Sequence, residues 1–295
     1  MKKITIFGKT ISATALALVL TAVLGSATLL TYYGTITATV NVQQSIILEG
    51  TCSKTIGVIG SEIAYNDECN IKSNTVNDLN VKFENSCSPD CTGIIITNQV
   101  KLSIKRFEGT DSDAFVKDFY KGTYYDWTGS LTNLNTIDYA FKITYNNFGS
   151  DTLAPYVVII GPEFPADVAV YMIPDGTTYS TGIEYAGTIN SDSKFHVPGD
   201  AVCTQSTPCT LAQLKIRWST ATVTSIKYAI GAWPGLHTQY FEAFIGLSKI
   251  NGVQAVYKSL KVYGTLTIPT VEKYEFAPAI VPGQYTITTN IVPAP

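Results

Sequence analysis

Charge and histidine are scarce in this sequence, and the shortage removes several classes of function at once. Of 295 residues only 15% are Asp, Glu, Lys or Arg, against roughly 25% in an ordinary soluble domain. The basic residues gather in no patch and no arginine cluster, which argues against a nucleic-acid surface. The two histidines, His196 and His237, lie in separate loop-like stretches with no partner in sequence. A histidine-based triad or zinc centre therefore lacks its material. There is no H-E-x-x-H, no G-x-S-x-G and no phosphate-binding glycine loop, so no catalytic, cofactor-binding or metal-ligating residue is expected and the chain reads as a non-enzyme. Small groups of carboxylates occur at Asp67 and Glu68, at Asp111 and Asp113, and at Asp192 near Asp200. Their oxygens suit calcium, but none is in EF-hand register, and solvated loops account for them as well. A glycosidase pair would rest on a separation in space that sequence does not carry. No N-x-[ST] sequon occurs, so N-glycosylation of that kind is not expected.

Helical periodicity is also nearly missing. What replaces it is a series of short alternating runs between Gly and Pro turns. The clearest is 138–145, where Tyr139, Phe141, Ile143 and Tyr145 alternate with Asp138, Lys142 and Thr144, the period of a half-buried strand. Further strands are expected at 94–96, 100–104, 156–160, 168–173, 182–189, 211–218, 222–231, 240–247, 255–268 and 285–292. In 211–218, Leu214, Ile216 and Trp218 share a side, and in 255–268 Gly264 marks a bulge. Pro174-Asp175-Gly176 and Trp233-Pro234-Gly235 read as turns. The segment 51–98 is loop-like up to its last residues, rich in Asn, Asp, Ser and Gly, and 191–208 is another loop. The aromatics Phe115, Phe119, Tyr120, Tyr124, Tyr125 and Trp127 are either a glycan platform or a core plug, with a short helix at 113–120. Many short strands without repeats or linkers give an all-β, jelly-roll-like β-sandwich with long loop insertions, covering 49–295.

The six cysteines, Cys52, Cys69, Cys87, Cys91, Cys203 and Cys209, read as disulfides in an exported chain. Six allow fifteen pairings, of which the neighbour pairs are the simplest. Export is written at the start. Lys2, Lys3 and Lys9 precede an apolar run at 13–24, and Gly25, Ser26 and Ala27 supply small residues, the order of a signal peptide cut near Ala27. An uncleaved anchor helix is the alternative, since 10–30 is long enough to span a bilayer. A pilin-type leader, cut before its apolar segment, ranks below both because the Lys- or Arg-Gly junction is absent.

Immediately after the leader comes the stretch that organises the chain. Residues 10–48 contain no Asp, Glu, Lys, Arg or His, and 35–42 read Thr, Ile, Thr, Ala, Thr, Val, Asn, Val. Ile36, Ala38, Val40 and Val42 fall on one face of a strand, and Thr35, Thr37, Thr39 and Asn41 on the other. Leu30 and Tyr32 share the apolar parity. A strand in this place can join its own domain or be lent to a neighbour.

The junction resembles a known family. Ala27-Thr28-Leu29-Leu30-Thr31-Tyr32-Tyr33-Gly34, the alternating 35–42, and Gln44-Ser45-Ile46-Ile47-Leu48-Glu49-Gly50 are similar to the start of archaeal TasA-like proteins. That family includes archaeal bundling-pilus subunits and relatives of the biofilm protein TasA and of camelysins. The likeness covers about the first 50 residues and is only of class beyond them. It implies a jelly roll whose subunits polymerise by donor-strand complementation. The donor is then 28–48, with Leu30, Tyr32, Ile36, Ala38, Val40 and Val42 as the inserted side chains. Some camelysin relatives are assigned as metalloproteases, an activity for which this chain offers no residues. The expected partners are identical subunits in an extracellular surface filament, with lateral bundling between filaments. No nucleic acid is expected, and the membrane is met only through the leader. The alternatives are a membrane-anchored surface adhesion module using the 107–127 aromatics, and a secreted hydrolase.

Overall fold

The computed structural model describes residues 3–6, 9–12, 46–50, 53–58, 63–65, 69–73, 79–106, 122–146, 153–165, 168–172, 179–204, 206–232, 239–262 and 267–294. The chain divides into two units, Met1–Gln43 and Gln44–Pro295. In the first, Lys3–Ile6 and Lys9–Ser12 pair as an antiparallel hairpin. The proposed donor residues Leu30 to Val42, and Ala27, lie outside the described residues. Among the described residues no helix is long and apolar enough to cross a membrane.

The second unit is an all-β sandwich of the jelly-roll class. One sheet has nine strands. Its main path runs Glu184–Ile189, Ile137–Asn146, Gln239–Ile250, Ile94–Arg106, Thr267–Phe276, Cys69–Ser73 and Ile46–Gly50. Val253–Gln254 and Ile63–Tyr65 are attached at its side. The other sheet has ten. They run Cys209–Thr210, Lys194–His196, Val168–Met172, Leu153–Ile160, Ser225–Ala232, Gly122–Asp126, Val256–Val262, Leu79–Ser88, Gly283–Pro293 and Ser53–Val58. All the pairings are antiparallel. Alternate residues from both sheets meet between them. Val100, Phe141, Ile143, Ile245 and Leu247 of the first pack with Tyr125, Val157, Ile159, Ile226, Tyr228 and Leu260 of the second. A smaller core at one end contains Ile94, Ile96, Tyr274, Phe276, Tyr285 and Ile287.

The sheet with nine members is strongly curled. Lys273 and Glu184 sit on strands four places apart in it, which a flat sheet would hold roughly 19 Å apart. Their charged atoms are 3.3 Å apart, so this face is concave. At Gly246 an added Cβ would lie 3.0 Å from the Thr97 methyl and 2.7 Å from the Asn98 carbonyl.

Several expectations need correction. The 51–98 segment is not a loop, because Ser53–Val58, Ile63–Tyr65, Cys69–Ser73 and Leu79–Ser88 are strands. Glu84, Asn85 and Ser86 stand exposed, whereas Ser73, Thr97 and Asn98 are buried. The run 211–218 is not a strand, because Leu211–Arg217 is an α-helix. Thr210 accepts from the Gln213 N–H at 3.1 Å while the Gln213 side chain accepts from Thr210 N–H at 2.8 Å, a reciprocal cap. Leu211 and Leu214 are buried and Ile216 is 80% exposed. The run 255–268 is two strands in different sheets, Val256–Val262 and Thr267–Phe276, and its bulge lies at Tyr257/Ser259. Gly264 is outside the described residues. Ile46–Leu48 does not belong with the donor segment: Ile46–Gly50 pairs with Cys69–Ser73 in the sandwich. His196 closes the strand Lys194–His196 rather than lying in a loop. The turns at 174–176 and 233–235, the helix expected at 113–120, and His237 are outside the described residues.

Cys87–Cys91 and Cys203–Cys209 are bridged as neighbours. Cys69 is also in a disulfide, while Cys52 falls outside the described residues.

Candidate functional site

The most reactive surface of a β-sandwich is an unpaired strand edge. Four strands end the two sheets. Cys209–Thr210 is two residues long and runs directly into the helix Leu211–Arg217. Ser53–Val58 carries Lys54, and Ile46–Gly50 carries Glu49, charges of the kind that blunt an edge. The fourth is Glu184–Ile189, six residues, Glu-Tyr-Ala-Gly-Thr-Ile, with no lysine, proline or bulge.

Among the described residues this strand pairs on one side only, in unbroken register from Ile137↔Ile189 to Lys142↔Glu184. Both ends are fixed. At the first residue, the Glu184 carboxylate meets the Lys273 ammonium at 3.3 Å. Burial pulls the Lys273 pKa down, but the carboxylates of Glu184 and Glu275 outweigh it and hold it above the usual lysine value. The only charge on the edge is therefore committed. Near the other end, the Thr188 hydroxyl donates to the Asp138 carboxylate at 2.7 Å.

The core side of the edge is aromatic. Tyr185 stacks on Phe141 with ring centres 5.2 Å apart, and Tyr179 meets both rings edge-on at 4.8 and 5.0 Å. Phe141 is fully buried, but Tyr139, Tyr179 and Tyr185 are only half covered. Gly187 makes room for Tyr139: a Cβ there would lie 2.5 Å from the Tyr139 oxygen. The Tyr185 hydroxyl accepts from Ser180 N–H at 2.7 Å, and Gly182 N–H donates to the Ile143 carbonyl at 2.7 Å. Ile183, just before the strand, is 52% exposed.

Other sequence candidates serve the fold. Tyr125 is buried, and its hydroxyl accepts from Leu247 N–H at 3.0 Å across the sandwich. Trp127 packs against the core, and Tyr124 lies under the Lys227 ammonium at 5.5 Å. Of these three only Tyr125 is fully buried, Tyr124 and Trp127 being partly exposed, while Phe115, Phe119 and Tyr120 are outside the described residues. Burial lowers the Lys227 pKa to about 8. Asp200 is occupied by Arg217 at 2.6 Å and by the N–H groups of Val202 and Cys203 at 2.8 and 2.7 Å, so its carboxylate organises the Cys203–Cys209 loop.

No family model matches the chain, and no curated protein matches it. Two solved structures align over most of its length. A T=1 particle derived from infectious bursal virus shares 12% identity at TM-score 0.22, covering 85% of this chain and 78% of that one. The infectious bursal disease virus Gt strain shares 11% identity at TM-score 0.23, covering 90% of this chain and 86% of that one. Likeness at that level adds nothing to what the sheets themselves establish.

Proposed function

We propose that this chain is an exported structural subunit of an extracellular filament, polymerising head to tail by donation of its N-terminal ribbon. The observation that carries the reading is the charge-free alternation of 35–42 directly behind an export leader. A ribbon of this kind supplies backbone pairing and alternate apolar side chains to a sheet that lacks them. Each large side chain buried is worth roughly 1.5–3 kcal/mol, so several together make a durable joint. Donor and acceptor are different surfaces, so the contact does not close and produces a fibre.

The test is deletion. The mature protein with and without residues 28–42 is purified and viewed by electron microscopy. Filaments are expected only from the intact chain. Equal polymerisation of the two forms rejects donation by this ribbon.

A further inference from the structure

We propose that the open side of Glu184–Ile189 is the acceptor, taking residues 35–42 of a second copy of this chain as an added strand; this rests on the filament reading. Three observations select this edge over the other sheet ends.

The first is the absence of protection. The edge has no lysine, proline or bulge, and its single carboxylate is already bound to Lys273. An edge of that composition is a template for another strand. An incoming segment without any charge meets no unpaired charge there.

The second is the match of faces. On the core side, Tyr185 and Ile189 continue the row formed by Phe141 and Ile137, and the half-covered Tyr139, Tyr179 and Tyr185 rings lie at its end. Ile36, Ala38, Val40 and Val42 share one parity, so a strand added here lays all four along that aromatic flank. The opposite parity, Thr35, Thr37, Thr39 and Asn41, then falls beside the exposed Ala186 and Thr188. The reverse placement would put hydroxyls on aromatic rings and aliphatic groups in water, so the alternation fixes which way round the ribbon lies.

The third is length. Six residues of edge span about 20 Å at strand rise, and the alternating stretch is long enough to cover all of it. The exposed Ile183 stands at the mouth, where a ribbon running past the edge would cover it.

The experiment places a photo-crosslinking residue at the exposed position 186 (Ala186→p-benzoylphenylalanine) in the full chain. Isotope-labelled and unlabelled subunits are mixed before assembly, the filaments irradiated, and crosslinked peptides read by mass spectrometry. The expected product joins the 186 peptide to a ribbon peptide of the other label. Filaments whose 186 crosslinks never contain the ribbon overturn the edge assignment while leaving donation intact. A ribbon peptide of the same label only, or no filaments from the unmodified chain, overturns the filament reading and this proposal with it. A second variant, Ala186→Lys, puts charge on the edge. It is expected to cut filament yield by about tenfold or more at unchanged thermal stability of the subunit. Undiminished polymerisation of that variant refutes the assignment.

Discussion

The edge strand holds its position through Lys273, and removing that lysine should be measurable. Its ammonium lies 3.3 Å from Glu184 and 3.2 Å from Glu275. The side chains of Lys273 and Glu184 are 8% and 20% exposed. That is too buried for the value of a surface pair, below about 1 kcal/mol. It is too wet for the roughly 3–5 kcal/mol lost when one partner of a fully buried pair is removed. We expect a coupling of about 2 kcal/mol between Lys273→Met and Glu184→Gln in a double-mutant cycle. For a domain of this size that corresponds to about 4–8 °C in Tm. The pH dependence has a definite sign. Burial lowers the pKa of Lys273, but Glu184 and Glu275 raise it further, so the folded value lies above 10.5. A cation whose pKa is raised on folding contributes its full stabilisation below the unfolded pKa and loses it as pH climbs through the folded one. Thermal unfolding followed by circular dichroism at pH 7 and at about pH 12 should show the coupling at the first and its decline at the second. A coupling below about 0.5 kcal/mol at pH 7, or one unchanged at the alkaline end, refutes the reasoning.

Two further outcomes follow from the sandwich interior. Burial raises the pKa of Glu272 above its usual 4.5, against hydrogen bonds from Thr289 and Tyr274 that lower it. Folding therefore favours its protonated form, and the parent should lose stability as pH rises from about 4.5 through the folded value. Tm measured from pH 4.5 to 8 should slope less in Glu272→Gln, and identical slopes would exclude Glu272 as the cause. Tyr125→Phe removes the acceptor of Leu247 N–H and should cost about 1–3 kcal/mol in denaturant unfolding. A cost near zero would mean that this amide finds another partner.

Much of the sandwich is readable because its strands alternate strongly. Ile137–Asn146 buries Phe141 and Ile143 while Lys142 is exposed, as the period of two requires. The helix Leu211–Arg217 reads as a strand because Leu214, Ile216 and Trp218 satisfy a period of two, although Leu211, Leu214 and Trp218 equally satisfy the i, i+3, i+7 spacing of a helix and are the residues that pack on the core. Thr210 and Gln213, three residues apart, are the signal that separates the two readings. A second overlooked signal is Asn251-Gly252. Both residues have positive φ, 53° and 76°, and they turn Gln239–Ile250 into Val253–Gln254, a two-residue hairpin that Asn-Gly favours. Asn251 Oδ1 also accepts from Asn135 N–H at 2.6 Å. The strands within 51–98 are hidden because their pairing is remote: Cys69–Ser73 meets Thr267–Thr270, and Leu79–Ser88 meets Gly283–Pro293. The open edge is illegible for the same reason. Glu184–Ile189 reads like any other strand, and only the order of the sheet leaves it last.

The interior raises a question that apolar packing alone does not answer, namely why a carboxylate is kept inside a sandwich. Glu272 is 3% exposed and stands directly across from Asn98, which is 6% exposed. Tyr274 donates to it from the same strand, and Thr289 bonds it from the opposite sheet. The same Thr289 hydroxyl lies 2.9 Å from Asn85 Oδ1, so Glu272 and Asn85 share its one proton. On either side of these groups the core is apolar, with Val100 and Leu102 in the larger cluster and Ile96, Tyr274 and Phe276 in the smaller. Ile94–Arg106 and Thr267–Phe276 are long strands of 13 and 10 residues rich in Ile, Val and Thr. Alternation fixes which face such strands bury but tolerates a slide of two residues. A slide of that size would set Glu272 against Ile96 or Val100 and take it from Thr289. A buried charge without its partners costs several kcal/mol, more than the equivalence of Ile and Val along the strands could return. The polar strip therefore selects one register out of several that the apolar pattern permits. The same register carries Lys273 to the concave face opposite Glu184, so the pin inside the sandwich and the ion pair that positions the open edge are consequences of a single alignment.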